Sequence, residues 1–212
     1  MVGGKNPPLP EEVKKRLKSM IVELRQELED DLGRELRRLG IDPTKPSPIP
    51  LSSLSYLTDE ERAVRRALDV VLDKEQAAKG DFAAAVKAVI REAAYTHLNR
   101  LVGLKCLELR GHLVIDGEPT EAVTCRPQFG GRSKWLWTLR DRESRYRYGE
   151  DAEERLWREG LTRAYEAVTT EIRILFDPTD PYAQVWPSYK AVSYTHLRAH
   201  ETRHDLVCRL LL

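Results

Sequence analysis

The stretch richest in potential chemistry runs from Arg132 to Tyr148. Arg132, Lys134, Arg140, Arg142, Arg145 and Arg147 are interleaved there with Trp135, Trp137, Tyr146 and Tyr148. Basic side chains neutralise phosphates and aromatic rings stack on exposed bases, so the mixture suits a DNA-facing surface. The competing use is a partly packed helix whose arginines pair with Asp141, Glu143, Glu150 and Asp151. A second candidate is the set His196, His200, His204 and Cys208, each four residues from the next. On a helix that spacing puts them near one face, where adjacent pairs could ligate zinc. The third is Asn99-Arg100, a polar pair in an apolar neighbourhood. A buried arginine needs a partner. No acid lies three or four residues from Arg100, so its partner is expected from another helix or loop. His97 is expected as a packed or surface histidine, Cys106 as an inert thiol, and Cys125 as a loop cysteine without an activating motif. No Ser/His/Asp or Cys/His constellation is identifiable.

These residues sit in a chain whose periodicity predicts a mainly α fold. It should contain four to five helices, with a short hairpin or extended loop around residues 112–125. The central element is Phe82 to Gly111, with Asp81 placed to cap its start and Gly111 to close it. Val86, Ile90, Ala94, Leu98, Leu101, Leu104 and Leu107 form its apolar face. A first helix is expected from about Pro10 to Leu39, with Val13, Leu17, Ile21, Leu24, Leu28, Leu32, Leu36 and Leu39 in one stripe. That stripe should pack within the domain; a coiled-coil seam is the alternative. Pro43, Pro46, Pro48 and Pro50 make residues 41–57 a linker. Thr58 and Glu61 form a capping-box pattern that opens a second helix ending near Ala78. Asp116-Gly117 predicts a hairpin turn. Helices are then expected from Trp135 to Arg147 and from Asp151 to Phe176, the latter inward at Trp157, Leu161, Tyr165, Val168, Ile172 and Leu175. The implied division is 1–57, 58–191 and 192–212.

Composition narrows function only by exclusion. There are 35 Lys+Arg against 34 Asp+Glu among 212 residues, a net charge of +1, so no global pull toward nucleic acid or membrane exists. No apolar run approaches the roughly 20 residues that span a bilayer, so no membrane partner is expected. The opening residues lack the apolar segment of a signal peptide. Three scattered cysteines make no disulfide framework, and a reducing cytoplasm is the expected compartment.

Two resemblances add to this. Val192 to Leu212, VSYTHLRAHETRHDLVCRLLL, resembles the in-frame translation of a sequencing-library adapter. That likeness removes the His196–Cys208 set as a biological metal site, leaves no metal residues to nominate, and implies a gene interrupted near Lys190. Ile90 to Glu108, IREAAYTHLNRLVGLKCLE, is similar to a segment near the N-terminus of PglX-type adenine-specific DNA methyltransferases of BREX and DISARM phage-exclusion systems, and of related restriction–modification enzymes. The shared positions are Ala94, Tyr95, Thr96, Asn99, Arg100, Leu101, Leu104, Leu107 and Glu108. The chain departs from the pattern at His97, Leu98 and Cys106, and more mildly at Gly103 and Lys105. Leu175 to Lys190, LFDPTDPYAQVWPSYK, resembles the acidic loop and Trp-Pro-Ser step that lead toward that family's catalytic domain.

The resemblance implies a parent enzyme that transfers methyl from S-adenosylmethionine to the exocyclic amine of adenine, with the base flipped out of the duplex. Tyr95, Asn99 and Arg100 would then be structural motif residues. The basic run from Arg132 to Arg147 would be the candidate DNA contact, and other defence-system proteins would be candidate partners. The cofactor fold and the Asn-Pro-Pro-aromatic loop are not found. Asn6-Pro7-Pro8-Leu9 lacks the final aromatic, Phe129-Gly130-Gly131 follows no convincing buried strand, and Asp180-Pro181-Tyr182 lacks the second proline. No catalytic or cofactor-binding residue is therefore nominated, and the expectation is an N-terminal, non-catalytic fragment. The rival expectation is a self-contained helical module that binds protein partners through the stripe from Val13 to Leu39.

Overall fold

The computed structural model describes residues 10–191, and these are mainly helical. Helix α1 spans Glu11–Arg38, α2 Asp59–Lys79 and α3 Phe82–Leu109. Local chemistry sets their ends. The Thr58 hydroxyl accepts from the Glu61 amide, and the Glu61 carboxylate accepts in return from the Thr58 amide, completing the capping box. The Asp81 carboxylate accepts from the Ala84 amide at 2.9 Å and opens α3. At its other end the Gly111 amide returns to the Glu108 carbonyl and the His112 amide to the Leu107 carbonyl. Gly111 takes the left-handed φ of +69° that this closure requires.

Helix α3 is the axis of the molecule. Helices α1 and α2 pack along it, and α5 (Ala152–Thr169) and α6 (Arg173–Phe176) also contact it. Its buried residues include Phe82, Ala85, Val89 and Ala93 as well as Val86, Ala94, Leu98, Leu101 and Leu104. The single apolar stripe expected from spacing is therefore too narrow, because neighbours cover α3 on several sides. In α1 the second half of its stripe is core: Leu28, Leu32 and Leu36 are fully buried, and Gly33 faces Ile90 of α3. Ile21 is 44% exposed.

Residues 41–57 join α1 to α2 but are not a free linker. Ile41, Leu54 and Leu57 belong to the same apolar core as Leu36 and Leu72. The Arg62 guanidinium donates to the carbonyls of Leu51, Leu54 and Leu57 and so pins this connection to the start of α2. Buried Arg65 donates to the Ile49 carbonyl and pairs with Asp69 at 2.9 Å. The expected division at residue 57 thus falls inside one packed unit.

After α3 come two short hairpins. Strands β1 (Val114–Ile115) and β2 (Glu118–Pro119) pair antiparallel across Asp116-Gly117, whose φ values of +54° and +80° are those of a tight hairpin turn. Strands β3 (Cys125–Arg126) and β4 (Arg132–Ser133) pair around a turn that ends at Gly130 and Gly131. Cys125 is thus on a strand, not in a loop.

Two helices are shorter than their periodicity predicts. Helix α4 covers Lys134–Arg142, and Glu143 then turns extended, because its carboxylate takes up Arg145 and Arg163, each at 2.8 Å. A separate single turn, Ser144–Tyr146, follows. Helix α5 stops at Thr169, whose hydroxyl lies 2.7 Å from the Tyr165 carbonyl and 3.0 Å from that of Phe176. A β-branched hydroxyl residue that engages its own backbone competes with helix continuation. The chain bends there, and Ile172 and Leu175 reach the core from a new direction.

Candidate functional site

The two segments that carry the family resemblance meet in space. Residues 177–191 run as a strap across the helices, and the contact centres on Arg100 and His97 of α3. Arg100 is buried. Its Nε donates to the Leu175 carbonyl at 3.0 Å and its Nη2 to the Asp177 carbonyl at 2.6 Å. The Asp180 carboxylate stands 4.0 Å away, and the guanidinium lies over the Tyr165 ring, 5.4 Å from its centroid. The partner expected from a distant loop is therefore the start of the strap. Planar, multi-donor geometry explains why arginine serves here: two backbone carbonyls are held by one rigid fork.

One turn earlier, His97 is also buried, and its Nε2 lies 2.6 Å from the Val185 carbonyl. A carbonyl only accepts, so that nitrogen carries the proton. Burial, together with the charges of Arg100 and Arg158, lowers the imidazole pKa to about 4. The Trp186 ring packs against His97, Trp157 and Tyr165 at centroid distances of 5.3, 5.5 and 6.0 Å. Further along, Asp31 of α1 accepts from the Ser188 amide (2.6 Å) and hydroxyl (3.1 Å), and Glu154 of α5 accepts from the Tyr189 amide. The Tyr182 hydroxyl reaches Glu75 of α2. Asp31, Glu75 and Glu154 were not foreseeable from spacing, since their strap partners lie 157, 107 and 35 residues away.

The remaining motif residues divide by surroundings. Asn99 is exposed. Tyr95 is 40% exposed and its hydroxyl accepts from Arg25 of α1 at 3.3 Å. The Glu108 side chain is buried; it accepts from the Val123 and Thr124 amides and pairs with Lys105, tying α3 to the segment after the first hairpin. Gly103 departs from the resembled pattern where α6 comes closest: a Cβ there would stand 2.6 Å from Leu175 and 3.2 Å from Phe176.

The basic run lies on and around α4, and most of its charge is already paired. Arg132 and Arg140 pair with Glu153, Arg142 with Asp116, Arg145 with Glu143 and Glu159, and Arg147 with Asp141. Lys134 is exposed near the Pro119 carbonyl. Glu153, Glu159 and Asp116 are partners that sequence spacing did not suggest. The aromatics split. Trp135 is core, donating to the Gly160 carbonyl at 2.8 Å, and Tyr146 is fully buried against Glu159. Trp137 and Tyr148 are 44% and 76% exposed, and Phe129 packs on Trp137. Exposed ion pairs of this kind contribute little to stability and exchange readily for another anion. The face therefore carries paired arginines and two exposed rings, without a preformed excess of positive charge.

Burial, reinforced by Glu108, pushes the Cys125 thiol up to about 11, away from nucleophilic use. Among the described residues no group of three or more His, Cys, Asp or Glu side chains could hold a metal, and no helix is long and apolar enough to cross a membrane. The His196–Cys208 set and Asn6-Pro7-Pro8-Leu9 lie outside the described residues. Compared with known families, curated proteins and solved structures, the chain matches no family model, no curated protein and no solved structure.

Proposed function

We propose that this chain is the N-terminal, non-catalytic helical part of an adenine-specific, S-adenosylmethionine-dependent DNA methyltransferase of a phage-defence or restriction–modification system, acting in the cytoplasm. The observation that carries the reading is the junction at Arg100 and His97. The segments resembling this family, Ile90–Glu108 and Leu175–Lys190, are joined there by direct hydrogen bonds from side chains of one to carbonyls of the other. Two stretches that follow one family's order along the chain are thus also one physical unit. In this reading the helices are scaffold, the strap leads to a catalytic half that binds cofactor and flips the base, and the α4 face lies toward DNA.

The test is to recover the gene beyond Lys190 and express the longer protein. The expected result is a cofactor-binding turn, an Asn-Pro-Pro-aromatic motif and transfer of labelled methyl to adenine in DNA. The 212-residue chain alone should transfer none. A stop codon shortly after Lys190, or methyl transfer by the short chain, overturns the reading. For the DNA face, filter binding of duplex DNA at low salt should show salt-sensitive affinity that weakens in Arg142→Ala/Arg147→Ala. Absence of binding at low salt removes that role from α4.

A helical interaction module is the second reading, and one observation favours it. Ile21, in the first half of the α1 stripe, remains 44% exposed. Capture of a specific partner lost in Ile21→Asp, with the gene ending near Lys190, would select this alternative.

A further inference from the structure

We propose that residues 177–191 are a detachable strap whose docking on the helices is governed by protonation of His97. This rests on the geometry of the strap alone and not on the methyltransferase reading.

The strap is held at several polar points as well as by apolar packing. Asp31, Glu75, Glu154, His97 and Arg100, drawn from four different helices, each bond one strap residue or the residues leading into it. Between these points Ala183, Val185 and Pro187 are buried, and Tyr182, Trp186 and Tyr189 are half-buried against the core. The docked arrangement also carries a cost. The Tyr165 hydroxyl is buried beneath it without a hydrogen-bond partner, a loss that lifting the strap would repair by admitting water.

His97 is the one strap contact whose charge changes in the mildly acidic range. Its Nε2–H already serves the Val185 carbonyl, so a second proton must go on Nδ1 of a buried ring that packs against Trp186. The charged groups that face it are Arg100 on its own helix and Arg158 on α5, and both repel an imidazolium. The carboxylates that hold the strap, Asp31 on α1, Glu75 on α2 and Glu154 on α5, contact other residues of it. Docked, His97 stays neutral down to about pH 4; lifted and hydrated, it titrates near the ordinary 6.5. The lifted state therefore binds the proton more tightly. Docking is at full strength above about pH 6.5 and falls as pH drops toward 4. At pH 5.5 the docking equilibrium should be about tenfold weaker than at pH 7.5.

The test is hydrogen–deuterium exchange of the full chain at pH 7.5 and 5.5, corrected for the intrinsic rate at each pH. Peptides covering 177–191 should lose about tenfold in protection, while those of α3 and α5 keep theirs. His97→Gln retains a donor for the Val185 carbonyl and cannot be protonated, so its strap protection should not change with pH. Equal loss across strap and helices, or an unchanged pH response in His97→Gln, overturns the proposal. An NMR titration of the wild-type imidazole gives an independent readout if that variant does not fold. A depressed pKa supports the strap switch, and a value near 6.5 overturns it.

Discussion

Arg100 shows how differently two arginines of one small protein can matter. It sits in the core with its donors committed to two backbone carbonyls, whereas Arg142 meets Asp116 in solvent. Replacing Arg100 by methionine preserves bulk but leaves the Leu175 and Asp177 carbonyls without their donor. That should cost about 3 kcal/mol of unfolding free energy by urea titration. Arg142→Ala should stay within about 0.5 kcal/mol, because exposed pairs exchange for water at little cost. Sequence spacing already implied that Arg100 needs a non-local partner. It could not say which, since carbonyls carry no side-chain signature and those of Leu175 and Asp177 are 75 and 77 residues away. The basic run was legible as a list of side chains but not as a charge distribution. Its acids come from α5 and the first hairpin, as well as from its own neighbourhood.

At the scale of elements, features decided within four residues were readable and those decided across the core were not. The Thr58–Glu61 box, the Asp81 cap and the Asp116-Gly117 turn depend on neighbours in sequence, and each forms as expected. The ends of α4 and α5 depend on Arg163 and on the Phe176 carbonyl, which periodicity does not weigh. The α4–α5 crossing is similarly hidden. Gly160 lets α5 approach α4 so closely that an added Cβ would collide with the buried Leu136. Gly160→Ala should gain helix propensity of up to about 1 kcal/mol yet lose more to overpacking. A net loss of about 1–2 kcal/mol, seen as a lower urea midpoint at unchanged slope, is the expected outcome.

For the molecule as a whole, one core joins α1, the proline-bearing connection, α2, α3 and α5. Deleting residues 1–57 removes Leu28, Leu32, Leu36, Ile41, Leu54 and Leu57 from it, and with them the Asp31 anchor of the strap. The remainder should lack cooperative urea unfolding, whereas the full chain should unfold in one transition. The Asp31–Ser188 contact has a temporal consequence as well. It closes a span of 157 residues, while α2 and α3 meet across the single turn at Gly80. Loop closure on that scale is slow and entropically costly, so the helical hairpin should form early and the strap should seat last. Ser188→Ala should then accelerate unfolding in stopped-flow measurements and leave the refolding rate nearly unchanged. On the ribosome the same order is enforced by synthesis, because Ser188 emerges only after its partner helix has long been available to fold.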